Sequence, residues 1–227
     1  MMRTFQTLGL LLTYPTADLL TALPELRQVL QAEEALSAPH HQSLEPVFKH
    51  LTHTPLLDAQ EGYVALFDRH PGLSLHLFEH VYGESRDRGQ ALAELADLYA
   101  ASDLFLTNGE TPDYLPAFLE FMAGQPEKEA RRLLGEVGHI LLLLAERLEQ
   151  RQNVYAPVLK ALCSLCEPHP EANRVAAAAA INPDIEPDPE ATWAEPEAFP
   201  NPGCASNSLK PLPSKPTHVT IEEPHHG

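Results

Sequence analysis

The chain has 227 residues, which is enough for one domain with a tail or for two small domains. Its 32 Asp and Glu residues outnumber its 15 Lys and Arg residues, so the formal net charge is −17. Such an acidic chain repels nucleic acid and anionic membrane surfaces, and no apolar run approaches the ~20 residues that span a bilayer. We therefore expect no nucleic-acid binding and no direct membrane insertion.

The use of apolar residues indicates helices rather than sheets. The sequence contains 37 Leu but only 13 Val and Ile, and β-branched residues favour strands whereas Leu fits helices. The cysteine count is three, and an odd number with two of them three residues apart does not suit an oxidising compartment. The composition therefore predicts a largely helical protein of the cytoplasm.

A change of composition near residue 182 predicts the domain boundary. Of the 22 prolines, 10 lie in residues 182–227, together with eight acids and two lysines. Few apolar groups remain there to offset the entropy lost on ordering a chain. We predict a helical domain over residues 1–181, followed by a disordered or loosely packed, acidic, Pro-rich tail over residues 182–227.

Apolar periodicity and helix-start residues locate the helices in chain order. They predict helices near residues 4–13, 17–35, 44–51, 59–69, 74–81, 86–101, 112–124, 126–148 and 153–166. The helix over 126–148 has the most regular pattern, with Leu at three- and four-residue steps after Pro126. The predicted fold is all-α, a single globular domain of about eight to ten helices with an acidic Pro-rich tail.

The H-x-x-E-H pattern at residues 76–80 is a candidate metal site. If this segment is helical, His76 and His80 lie one turn apart on the same face and could bind zinc, with Glu79 as general base. A zinc-dependent hydrolase is therefore the alternative function. The simpler interpretation is that two of twelve histidines fall at this spacing by coincidence, since no third ligand stands out.

Cys163, Cys166 and His169 form a second group with metal-like spacing, to which Cys204 could add a fourth ligand. The helical pattern around them favours the simpler interpretation that the cysteines are small buried apolar residues. The sequence contains no phosphate-binding loop, dinucleotide-binding glycine motif or nucleophile elbow. We therefore predict neither a metal site nor a catalytic residue.

Charged and aromatic residues cluster around residues 77–88. Five consecutive polar residues of alternating charge lie between Gly83 and Gly89, and the sequence LFEHVY precedes them. Part of this pattern is what the start of one helix requires. Acids beside aromatic residues also suit a groove that binds a basic or helical peptide.

Four further segments have distinctive sequences: residues 61–69 (EGYVALFDR), 74–90 (SLHLFEHVYGESRDRGQ), 112–116 (PDYLP) and 119–121 (LEF). Together they resemble the NarJ family, the delta-chain assembly chaperones of respiratory nitrate reductase, which are related to the TorD and DmsD group. The resemblance extends from about Phe5 to Cys166 and is weaker at residues 193–204. The loop has Thr111 and Tyr114 where the resemblance predicts Leu and His, so any role of that His in peptide binding must be met by Tyr114 or dropped.

The resemblance implies an all-helical cytoplasmic chaperone rather than an enzyme. Such a chaperone binds the N-terminal segment of the catalytic (alpha) subunit of nitrate reductase while the molybdenum cofactor and an iron–sulfur cluster are installed, before membrane attachment. It implies no stably bound cofactor in the chaperone itself, and it adds molybdenum cofactor biosynthesis proteins as further partners.

Together with the charge pattern, the resemblance predicts that two segments form the rim of the client-binding site. The segment 79–88 and the loop 113–116 supply the candidate residues, and exposed acids among them would pair with basic client residues. These candidates are Glu79, His80, Tyr82, Glu84, Arg86, Asp87, Arg88, Asp113, Tyr114 and Pro116.

Overall fold

The computed structural model describes residues 3–82, 86–106 and 109–167, which form a single helical domain. Its ten α-helices are α1 (Arg3–Leu11), α2 (Ala17–Glu33), α3 (Ala38–His53), α4 (Leu56–Tyr63), α5 (Glu79–Tyr82), α6 (Arg86–Ala100), α7 (Leu115–Ala123), α8 (Glu127–Glu136), α9 (Gly138–Gln150) and α10 (Ala156–Leu165). A π-helical turn, Val64–Asp68, continues α4, and a 3₁₀ turn covers Pro71–Leu73. The all-α prediction is confirmed.

Helix α1 buries one face in the core. Phe5, Leu8, Leu11 and Leu12 are completely buried, and α1 packs against α2, α7 and α10. Its closest approach is to α7, where a Cβ atom on Gly9 would lie 3.2 Å from the Cβ of Leu119. The glycine therefore brings two helices together that are more than 100 residues apart in sequence.

Side chains at the two ends of α2 cap the N-termini of two helices, α2 itself and α1. Thr16 accepts the backbone N–H of Leu19 at 3.1 Å and starts α2. At the other end, the carboxylate of Glu33 accepts the backbone N–H groups of Arg3 and Thr4 at 2.8 and 2.7 Å. A negative charge at a helix N-terminus is favourable, so Glu33 caps α1 from the end of α2.

The single helix predicted over residues 126–148 is wrong, because the chain breaks at Val137 into α8 and α9. The carbonyl oxygen of Glu167 lies only 2.4 Å from the place that a Cβ on Gly135 would occupy. The backbone N–H of Glu167 also donates to the carbonyl of Arg131 at 3.2 Å. The chain that follows α10 thus packs on α8 beside the break, in space that only a glycine leaves open.

The helix predicted over residues 74–81 is largely wrong, since only the one-turn helix α5 forms there. The preceding residues pair with the loop before α7 instead. The backbone N–H of Leu77 donates to the carbonyl of Asp113 at 3.0 Å, and that of Leu115 donates to Leu75 at 2.8 Å. This pairing, an isolated antiparallel bridge, competes successfully with helix formation because it satisfies the same backbone groups.

The predicted boundary at residue 182 and the tail over residues 182–227 lie outside the described residues and stay predictions. Among the residues that the structure describes, no helix is both long and apolar enough to cross a membrane.

Candidate functional site

Asp113 is buried, so the prediction that it is an exposed acid at the rim is wrong. Its side chain is 0% exposed, and Oδ2 accepts the backbone N–H of Phe78 at 3.0 Å. Oδ1 accepts the hydroxyl of Thr111, which in turn accepts Nδ1–H of His76 at 2.9 Å. Burial acts to raise the pKa of Asp113, but the charge of His76, with Nδ1 3.7 Å from Oδ1, and the hydrogen bonds from Thr111 and Phe78 outweigh it and lower the pKa. Asp113 therefore organises its own loop.

Three other predicted site residues hold helix α5 in place. Nη2 of Arg88 lies 3.1 Å from Oε1 of Glu79, and this ion pair joins α5 to α6. Nε2–H of His80 donates to the carbonyl of Ser74 at 2.8 Å, and burial lowers the pKa of this histidine. A carbonyl oxygen can only accept, so the proton on His80 is on Nε2.

The remaining predicted residues differ in accessibility. Tyr82 and Asp87 are exposed on α5 and α6. Glu84 and the side chain of Arg86 lie outside the described part of the chain. Pro116 is buried, but it borders the groove described below. A role of these residues in client binding stays a prediction.

Tyr114 is part of a hydrogen-bonded tether between helices. The hydroxyl of Tyr63 donates to the carbonyl of Leu12 at 3.0 Å and lies 3.0 Å from the hydroxyl of Tyr114. Because Tyr63 has only one hydroxyl proton, Tyr114 is the donor in the second bond. The tether joins the end of α1 to the start of α7, so these two helices run antiparallel.

A groove of about 300 Å³ lies beside this tether, between α1, α7 and the segment that follows α6. It runs along α1 from Gln6 and reaches Thr13 just beyond the end of the helix, a length of about 10 Å or two turns of helix. The surface is mainly apolar, and Leu10 and Phe105 expose much of their side chains there. The lining residues are Gln6, Gly9, Leu10, Thr13, Leu104, Phe105, Leu106, Glu110, Tyr114, Pro116, Ala117 and Glu120.

The charges on this groove have one sign. Glu110 and Glu120 are exposed, and none of the described lining residues is Lys, Arg or His. Such a surface suits a short helical segment that presents apolar side chains inward and basic side chains to the rim.

Sequence reasoning placed only Tyr114 and Pro116 on the lining of this groove and missed its α1 and α6–α7 parts. One signal was available: Leu10 breaks the inward apolar pattern of α1, and Gly9 beside it marks a close helix contact. The Leu-Phe-Leu run at residues 104–106 gave no comparable signal, because it resembles an ordinary piece of core.

The zinc interpretation depended on His76 and His80 sharing one helix face, and that premise is wrong. His76 precedes α5 and belongs to the isolated bridge, where its ring contacts Thr111 and stacks on Tyr114 with 5.3 Å between ring centroids. Nε2 of His80 carries the proton donated to Ser74 and has no lone pair for a metal in that state. Among the described residues, no cluster of three His, Cys, Asp or Glu could hold a metal ion.

Cys163 and Cys166 are free thiols at the end of α10. Burial raises the pKa of Cys163 to about 12 and that of Cys166 to about 11, so both are protonated at neutral pH. Both are half-buried rather than fully buried, and they pack against the core as small apolar residues do. His169 and Cys204, which the metal interpretation also needed, lie outside the described residues.

The described residues form an all-helical domain with a mainly apolar groove, edged by acids, between α1 and α7. A crystal structure of a candidate redox enzyme maturation protein from Archaeoglobus fulgidus has the same fold. It superposes with a TM-score of 0.53 at 23% sequence identity, covering 72% of this chain and 93% of that one.

Sequence comparison identifies the family. Residues 16–161 match the family model described as nitrate reductase delta subunit. A relative in Escherichia coli (strain K12), the nitrate reductase molybdenum cofactor assembly chaperone NarJ, is 37% identical over 203 residues, which cover 88% of this chain and 86% of that protein. NarW of the same strain is 38% identical over 168 residues, or 72% of this chain and 68% of that protein. The chain belongs to the nitrate reductase delta subunit family.

Proposed function

We propose that this protein is a cytoplasmic assembly chaperone without catalytic activity of its own, whose client is the catalytic subunit of a respiratory nitrate reductase. It holds the apo-subunit while the molybdenum cofactor and an iron–sulfur cluster are inserted, and the cofactor is cargo for the client rather than a group bound stably by the chaperone. Molybdenum cofactor biosynthesis proteins are proposed as further partners. Family membership and the name of the E. coli relative support this role.

The groove between α1 and α7 supports a more specific proposal, that the chaperone binds the N-terminal segment of its client. Its apolar floor and its two acids, Glu110 and Glu120, match the N-terminal segment of a client that folds into an amphipathic helix with basic residues. The groove is about two helical turns long. Such a segment would therefore be held by a few apolar anchors, with rim charges that set its position.

A second groove, between α2 and α3, is less suitable. It is larger, about 580 Å³, but Arg27, Lys49 and His53 line it together with a single acid, Glu45. Arg27 is already paired with Glu45 at 3.2 Å and stacks on the Phe48 ring at 4.9 Å. A basic client would meet like charges there, so we assign the client to the α1–α7 groove.

The test is calorimetric titration of the full chain with a peptide that covers the N-terminal segment of the catalytic subunit. Ala117→Leu adds three carbon atoms to the groove wall without changing charge, and we expect it to weaken binding at least tenfold. Glu120→Lys reverses a rim charge, and we expect about a five- to tenfold loss that shrinks as salt is added. Glu146, an exposed acid on α9 away from the groove, provides the control Glu146→Lys. Equal affinity in all variants would place the client elsewhere.

A further inference from the structure

Phe105 stands out among the exposed apolar residues because its neighbours force it outward. Leu104 and Leu106 are half-buried and pack against the core, whereas Phe105 between them is 70% exposed. Side chains that alternate in burial are typical of an extended chain, in which successive residues point to opposite sides. With both leucines turned inward, the Phe105 ring has no route into the core.

The segment that carries Phe105 is fixed to the core at its start. The backbone N–H of Leu104 donates to the carbonyl of Tyr99 at 3.0 Å. Tyr99 is itself buried, its hydroxyl donates to the carbonyl of Pro112 at 2.6 Å, and its ring centroid lies 4.7 Å from that of Phe121. The exposure of Phe105 is thus imposed by anchored neighbours.

A single exposed apolar side chain is common and by itself indicates nothing. Leu57 at the start of α4, for example, is 74% exposed. Phe105 differs because it lines the α1–α7 groove together with Leu10, which is 37% exposed. Aromatic side chains at the centre of a binding surface are enriched among the residues that dominate affinity.

We propose that Phe105 is a client-contacting residue whose ring packs on the apolar face of the bound segment, across the groove from Leu10; this inference rests on the proposed function. The proposal requires the client helix to carry a large apolar side chain at the position that faces Phe105. Removal of the ring then weakens client binding without changing the fold, because the ring has few contacts to lose in the free protein.

Charge argues for a basic foreign segment over the two other candidate occupants. A second copy of this chain would bring a net charge of −17 to a groove edged by Glu110 and Glu120. Residues 182–227 of the same chain contain eight acids and only two lysines, so they would also be repelled.

The first experiment compares Phe105→Ala with Leu57→Ala in the full chain, using the client N-terminal peptide as the titrant. We expect Phe105→Ala to weaken binding at least tenfold, and Leu57→Ala to change it less than twofold. Both variants should keep the parent urea midpoint, since both side chains are mostly exposed. If Phe105→Ala binds as tightly as the parent, the inference is wrong. If the parent protein itself does not bind the peptide, the proposed function is wrong as well. Failure of the Phe105 inference and failure of the proposed function therefore give different results.

The second experiment observes the contact directly. Trp193 is the single tryptophan of the chain, so Phe105→Trp in a Trp193→Phe background reports only on position 105. We expect this variant to keep tight binding and its emission to shift to shorter wavelength as the peptide covers the indole. Leu57→Trp in the same background should show no shift. Absence of a shift at position 105 would overturn the inference, and so would an emission that is already blue-shifted before peptide is added.

Discussion

The buried carboxylate of Asp113 is the most sensitive point of the loop that precedes α7, and its removal should destabilise the domain strongly. In Asp113→Ala, the backbone N–H of Phe78 and the Thr111 hydroxyl lose their acceptor, and His76 loses its charge partner 3.7 Å away. Breaking a buried charge pair costs about 3–5 kcal/mol. Asp113→Asn keeps one acceptor oxygen and should cost less, about 1.5–3 kcal/mol, the value of a hydrogen bond to a charged group.

Urea and thermal unfolding measure this effect. For a chain of this size, 1 kcal/mol corresponds to about 2–4 °C in Tm, so Asp113→Ala should lower Tm by about 6–20 °C. Asp97→Ala removes an exposed acid on α6 and is the matched control, with an expected change below about 0.5 kcal/mol. If Asp113→Ala unfolds at the same urea concentration as the control, the burial argument fails. Charge reversal at Asp113 would accordingly report on folding and could not serve as a test of the binding rim.

Three further predictions concern other contacts. Gly135→Ala should destabilise the domain by about 1–3 kcal/mol in urea unfolding, because its Cβ would meet the carbonyl oxygen of Glu167. The control Gly62→Ala should be neutral or stabilising, since no atom lies within 4 Å of its Cβ. Tyr63→Phe should lower the unfolding free energy by about 1–3 kcal/mol and Tyr114→Phe by about 0.5–1.5 kcal/mol, because the Tyr63 hydroxyl takes part in both bonds of the tether. Equal losses in urea unfolding would contradict the two bonds assigned to the Tyr63 hydroxyl. The carboxylate of Asp113, with Oδ1 3.7 Å from Nδ1, raises the pKa of His76. The stabilising effect of His76 should therefore be complete below about pH 6.5 and decline as pH rises through the raised pKa. The difference in unfolding free energy between the parent and His76→Gln should be larger at pH 6 than at pH 9, and a constant difference would refute this prediction.

Local sequence patterns correctly predicted the helices that are determined by a cap residue or by the spacing of apolar residues. Thr16 caps α2 and the apolar period of α1 matches its buried face, so both helices were predicted close to their observed bounds. The break at Val137 could not be predicted in this way. Its neighbour Gly135 is packed against Glu167, which lies 32 residues further along the chain, and the apolar period continues across the break. Periodicity shows which side of a helix is buried but not whether a distant segment requires the helix to end.

The candidate site likewise depends on contacts between residues that are distant in sequence. An acid between two prolines resembles an exposed loop residue, and the burial of Asp113 depends on Phe78 and His76, which lie about 35 residues away. The groove itself is assembled from α1, the segment 104–106 and α7, so no short stretch of sequence contains its pattern. The resemblance to a family predicted that a peptide site exists, while its position required the tertiary structure.

Photo-crosslinking followed by mass spectrometry tests the central claim most directly, because it reports where the client lies on the chaperone. The client N-terminal peptide would carry a photoreactive side chain at an apolar position and be bound to the full chain before illumination. We predict attachment to residues of α1, to the segment 104–106 and to the first two turns of α7, with loss of the product in Ala117→Leu. Attachment confined to the α2–α3 groove or to the outer face of α6, unaffected by Ala117→Leu, would contradict the account.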